Sequence, residues 1–202
     1  MCYHIYLSLW YNLVKIGYTT NDVGWIWYEK GILTAKELAS YIKYKYSEFT
    51  NNTKEITPIK MQKCLYFCFA FWAGFVVKGK EDNVMPSDCS EYLFDDTIQA
   101  WAYGPVVPNV YFDEKKLKLF NNKRSEEVAL SKAENKINEI DFLQETIDSI
   151  LQDVFEISDF KLVSLSHMDK SWQNHFHEES EKHNEAIPLE EIINEYSTKK
   201  FA

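Results

Sequence analysis

A chain of 202 residues and 23.9 kDa has the length of one domain, and its 46% apolar and 16% aromatic content excludes a disordered or fibrous protein. Lys and Arg total 22 against 31 Asp and Glu, a net charge of −9 that repels phosphate backbones and anionic lipid. Direct nucleic-acid and membrane partners are therefore not expected. Arg124 is the only arginine, so the planar fork that grips phosphate bidentately is available at one place at most. Four cysteines (Cys2, Cys64, Cys68 and Cys89) are too few for a disulfide scaffold, no export signal is visible, and a reducing cytoplasmic setting is expected.

Residues 1–33 carry eight aromatics (Tyr3, Tyr6, Trp10, Tyr11, Tyr18, Trp25, Trp27 and Tyr28) without helical spacing, and read as an aromatic-rich N-terminal arm ahead of a domain at 34–202. From Thr34 the signals sharpen. Thr34 and Glu37 form a capping box, and Leu38, Tyr41, Ile42, Tyr46 and Phe49 share one face of a helix to about Phe49. Thr57 and Pro58 open the next helix, expected to run to Lys78 with Gly79 closing it. The stretch 64–77 passes without a charge. Fourteen residues are too few to span hydrocarbon, which takes about 20, and Lys60, Lys63, Lys78 and Lys80 bracket it, so a buried central helix is expected.

Residues 81–92 read as a polar surface loop, and 97–101 alternate as a short strand within a β element around residues 97–107. Pro108 is placed to open a helix through Leu117. Ser131 and Glu134 form a second capping box, and Ile137, Ile140, Ile147, Ile150, Leu151 and Val154 make a stripe expected to hold over about six turns. Short helices are expected at 159–168, 170–181 and 188–197. The fold class is therefore mainly α, a compact single helical domain with one short β element.

Catalytic signatures are sparse: the chain has no Gly-rich phosphate loop, GxSxG elbow or HExxH. His167, His175, His177 and His183 cluster in the sequence, which leaves open an enzyme of unknown reaction. His175 and His177 differ by about 200° on a helix, and no pair has zinc-finger spacing, so neither metal nor cofactor is expected. Cys64 and Cys68 share a helix face in an apolar run and read as packing thiols. Asp95 and Asp96 read as a solvated turn. Lys15 to Tyr18 resemble only the second half of a GIY-YIG nuclease motif, without the Arg that fold requires.

The strongest local pattern is the run from Ala100 through Trp101, Ala102, Tyr103, Gly104, Pro105, Val106 and Val107 to Pro108, ending in Tyr111. Gly and Pro fix a sharp bend there and large aromatics surround it, either as core or as a protein-binding platform, with core the simpler expectation. This AWxYGPV segment, the helix carrying Lys63, Cys64, Leu65, Tyr66 and Phe67, and the late His167 and Trp172 followed by Asn184, Ile187 and Tyr196 together resemble the SocA-like antitoxin family, or Panacea domain. The resemblance spans about Thr34 to Tyr196. It implies a mostly helical, non-enzymatic antitoxin of a toxin-antitoxin pair that binds its cognate toxin directly. It also admits a proteolytic adaptor that delivers the toxin to a protease, or a phage or mobile-element accessory protein. The motif or partner-binding residues it implies are Lys63, Tyr66, Trp101, Tyr103, Gly104, Pro105, Val106, Tyr111, His167 and Trp172. Cys64 in place of Leu, the insertion at 81–92 and the arm depart from the family pattern, and the last two are candidate specificity elements.

Overall fold

The computed structural model describes residues 31–116, 123–140, 142–177 and 184–199. Residues 1–30 of the expected arm, and His183, lie outside the described residues.

Helix α1 (Ala35–Phe49) begins with the expected capping box: Thr34 Oγ1 accepts from the Glu37 N–H, and the Glu37 carboxylate accepts from the Thr34 N–H at 2.9 Å. A third group contributes from far along the chain, since Asp96 Oδ2 accepts from the Ala35 N–H at 2.9 Å. Asp96 is thus a cap on the positive end of a helix dipole and not a solvated turn residue. Leu38, Tyr41, Ile42 and Tyr46 are buried, whereas Phe49 stays exposed beside the Phe155 ring.

Helix α2 (Pro58–Glu81) is capped by Thr57 and opens with proline as expected, but it continues two residues past Gly79, which lies inside the helix. Its apolar run is the centre of the core: Phe69 packs 5.0 Å from Phe94, and Trp72 stacks on Phe142 at 5.8 Å. No helix among the described residues is long and apolar enough to cross a membrane. Lys60 and Lys63, read as flanking charges, are buried instead. Lys60 is satisfied by the carbonyls of Phe155 and Ile157 and lies 3.6 Å from Asp159, so its charge is spent inside the fold.

The 81–92 segment is anchored more firmly than a surface loop. Met85 is buried under α2, Trp72 Nε1 donates to the Ser90 carbonyl at 3.0 Å, and the Ile32 and Leu33 N–H groups donate to the Tyr92 and Leu93 carbonyls.

Strand β1 (Ile98–Trp101) pairs antiparallel with β2 (Gly104–Val106) on one side and with β3 (Ala186–Ile187) on the other. The third strand was not legible because two residues are too few for an alternation pattern. Helix α3 (Pro108–Lys116) follows β2 as expected.

The expected six-turn helix is two helices, α4 (Lys123–Asn138) and α5 (Leu143–Glu156). Helix α4 runs straight through Ser131, so the second capping box does not form. The stripe is periodic on both sides of the break because α4 packs on α1 while α5 turns back against α2. Short helices α6 (Asp159–Ser166) and α7 (Lys170–Gln173) lead to β3 and α8 (Leu189–Thr198). Helix α7 ends well before residue 181, and α8 lies along α2, where a Cβ on Gly74 would come 2.8 Å from the Tyr196 carbonyl oxygen.

Candidate functional site

Besides Lys60, the first half of α2 buries Gln62, Lys63 and Tyr66. Each bonds to a different part of the chain, while Gln62 Nε2 is buried with no hydrogen-bond partner among the described residues. The Val107 N–H donates to Gln62 Oε1 at 2.8 Å, and Lys63 Nζ donates to the Pro105 carbonyl at 3.0 Å. Tyr66 Oη donates to Asp169 Oδ2 at 2.7 Å. Asp169, wholly buried in the turn between α6 and α7, also accepts from Tyr196 Oη at 2.8 Å and from Lys199 Nζ at 2.5 Å. A buried carboxylate is costly without partners, and here three donors from α2 and the end of α8 share it.

The hairpin sits on this cluster. Gly104 has φ +91°, and a Cβ there would come within 2.5 Å of Lys63 Nζ and closer still to Ser166 Oγ. Glycine is thus required twice, for the left-handed backbone and for the space the amine and hydroxyl occupy. Pro105 and Val106 are buried beside it. His167 stacks on Trp172 with centroids 3.9 Å apart, and Trp172 in turn stacks on Phe176. Trp172 Nε1 donates to the Trp101 carbonyl at 3.0 Å, which fastens the stack to the hairpin.

Tyr103 is 60% exposed and Met168 58% exposed, and His167, next to Met168 in the chain, meets the main chain of Ala102, next to Tyr103. Trp101, half-buried, packs edge-on to Tyr111 at 4.9 Å and against the exposed Phe112 at 5.9 Å. The tip of the AWxYGPV bend is therefore a displayed aromatic surface, contrary to the simpler expectation of core. Its rigidity comes from underneath, through Lys63 and Gly104.

Burial shifts the ionisations in this cluster. It pushes the Lys63 amine down to about 7, opposed only by the negative charge of Asp169. It also holds His167 below the ordinary histidine range, with the Lys63 charge acting in the same direction. The Asp169 carboxyl is raised by burial, against the opposing pull of Lys199 and Tyr66. Burial likewise pushes the Cys64 and Cys68 thiols up and Cys89 to about 12, which makes them packing groups and not nucleophiles.

Of the other described histidines, His175 and His177, neither joins His167. His175 Nε2 lies 2.6 Å from Glu191 and its Nδ1 3.2 Å from Glu185, while His177 Nε2 is 3.9 Å from Glu185. No group of three or more His, Cys, Asp or Glu among the described residues is arranged to hold a metal ion. The sequence proximity of these histidines reflects two separate environments.

All ten motif residues read from the sequence thus fall on or around one cluster. Residues 82–173 match the family model described as antitoxin SocA-like, Panacea domain. The matched segment contains the hairpin, α3, His167, Asp169 and Trp172, whereas Lys63 and Tyr66 reach it from the preceding helix and Tyr196 and Lys199 from the end of the chain beyond it. No curated protein and no solved structure matches the chain. Sequence reading missed Gln62, Ser166, Met168, Asp169 and Lys199. A polar Gln-Lys pair entering an apolar run was the one available signal for the first of these.

Proposed function

We propose that the protein is an antitoxin that neutralises its cognate toxin by direct binding, without turnover, and that the Tyr103 turn is the centre of the binding face. The observation that carries this reading is the Panacea match over a segment that displays Tyr103 outward on a bend held from below by Lys63. An exposed aromatic on a rigid backbone loses little entropy on binding, and Tyr and Trp are enriched among residues that dominate interfaces. Trp101, at the base of the same hairpin, packs against the exposed Phe112. The arm and the 81–92 segment are proposed to add specificity.

Co-expression with the protein encoded beside this chain's gene tests the reading. Growth rescue together with co-purification, and loss of both in Tyr103→Ala at unchanged melting temperature, is expected. Rescue accompanied by chemical turnover of the toxin or of a nucleotide would overturn it in favour of an enzyme.

A further inference from the structure

Helix α6 carries large apolar side chains on both of its sides. At 3.6 residues per turn, Leu162, Val163, Leu165 and Ser166 share the inner side, which packs on α2 and β2, and all four are buried. Phe160, Lys161 and Ser164 share the outer side, within about 120° of one another, and all three are exposed. The His167 and Met168 N–H groups donate to the Val163 and Leu165 carbonyls, which continues the turn and brings Met168 to the outer side about two turns from Phe160. An amphipathic helix places polar side chains there. Phe160 is instead 72% exposed, more than any other large apolar side chain among the described residues, and Met168 is exposed with it. This face ends at the hairpin: Ser166 Oγ lies against Gly104 and His167 meets the Ala102 main chain, the two residues that flank Tyr103.

The charge of the face runs against that of the chain. Residues 160–177 hold two lysines, Lys161 and Lys170, both exposed, and one carboxylate, Asp169, which is wholly buried and 2.5 Å from Lys199. Of the carboxylates that border the stretch, Asp159 accepts from Thr57 Oγ1 and lies 3.6 Å from Lys60. Glu195 accepts from the Lys170 and Ser171 N–H groups and lies 3.7 Å from Lys199, the cation it shares with Asp169. Glu156 is exposed, ahead of the corner into α6. Charges more than about 8 Å apart are largely screened at physiological salt, so a surface in contact with α6 meets Lys161 and Lys170 and not the net −9.

We propose that the outer face of α6, from Phe160 to Met168, is a docking surface that continues the Tyr103 turn and takes an apolar patch bordered by carboxylates on the partner protein. Phe160 supplies a large side chain to bury, and Met168 adapts its shape to the partner. The two lysines steer acidic groups to the rim and reject a basic surface. The inference rests on the binding role proposed for Tyr103 and adds to it the chemistry of the partner.

Calorimetric titration of the full chain against the protein encoded beside its gene, at low and at physiological salt, tests this with Tyr103→Ala as the reference. Phe160→Ala is expected to weaken binding at least about fivefold while the melting temperature of the free variant stays at the wild-type value. The double variant Lys161→Glu with Lys170→Glu should weaken it by a larger factor at low salt than at physiological salt. Binding that Tyr103→Ala abolishes but that Phe160→Ala and the double variant leave intact would overturn the α6 surface and spare the Tyr103 reading. Binding strengthened by the double variant would mean a basic partner and would overturn the stated chemistry. A fall in melting temperature of free Phe160→Ala would show that the side chain is covered within the chain itself, residues 1–30 included, and would also overturn it. Absence of any complex would contradict both readings.

Discussion

Gly104 rests against the amine of Lys63, with space for no Cβ between them. The bend that displays Tyr103 is therefore held from inside the protein, by a helix that lies far earlier in the chain. Gly104→Val should be destabilising on two counts. A left-handed backbone alone costs a residue with a Cβ about 1–2 kcal/mol, and the clash with Lys63 and Ser166 adds to it. For a chain of this size that corresponds to a fall in melting temperature of at least about 2–4 °C per kcal/mol, read by calorimetry or circular dichroism. Unchanged melting would show that the hairpin is not seated on Lys63.

Removal of one donor from Asp169 tests the cluster beneath the hairpin. Tyr66→Phe keeps the ring packing at the Tyr196 contact of 6.4 Å but deletes the hydroxyl that bonds the buried carboxylate. A loss of about 1–3 kcal/mol in urea unfolding is expected, the range for leaving a buried polar group short of a partner. Tyr196→Phe should behave alike, and the two together should be non-additive because they share Oδ2.

The histidine that Glu185 and Glu191 flank gives a pH signature of its own. Burial works against the charged form of His175, but its hydrogen bonds to Glu191 and Glu185 and their charges outweigh this and raise its pKa. Glu191 is lowered despite its own burial, by Asn174 and His175. Stability from this clamp is thus fully present below the unfolded histidine pKa of about 6.5 while the carboxylates stay ionised, and is lost as pH rises through the raised folded value. His175→Gln should remove this part of the pH dependence of the melting temperature. A wild-type profile that the substitution leaves intact would rule the clamp out.

Local sequence grammar made much of the fold legible. Thr34 with Glu37, Thr57 with Pro58, and Pro108 mark helix starts that form where the patterns place them, because a cap is satisfied within four residues and needs no tertiary partner. Ser131 with Glu134 has the same spelling and fails, because α4 begins at Lys123 and its packing on α1 carries helix through the serine. The sequence pattern names ten motif residues but does not encode how they are arranged. The bond from Lys63 to Pro105 and the bond from Tyr66 to Asp169 link positions 42 and 103 residues apart, and no periodicity encodes such pairs. Exposure of Tyr103 was misjudged for a related reason: Gly104 and Pro105 face inward on Lys63 and leave the preceding side chain no room but outside.

Phe69→Ala measures the core of α2 independently of any partner. Phe69 is fully buried against Phe94, and truncation of such a side chain typically costs about 3–5 kcal/mol through lost transfer energy and the cavity left behind. Equilibrium denaturation reads the value. A cost under about 1 kcal/mol would mean that α2 is not the centre of the core.

Direct binding is the central claim, and a calorimetric titration of the purified full chain against the protein encoded next to its gene tests it most directly. A stoichiometric complex is expected, weakened at least about 30-fold by Tyr103→Ala, which corresponds to the roughly 2 kcal/mol of an interface anchor, while the melting temperature of the free variant stays at the wild-type value. Growth rescue by the chain with no heat of binding and no complex at concentrations above those in the cell would contradict it.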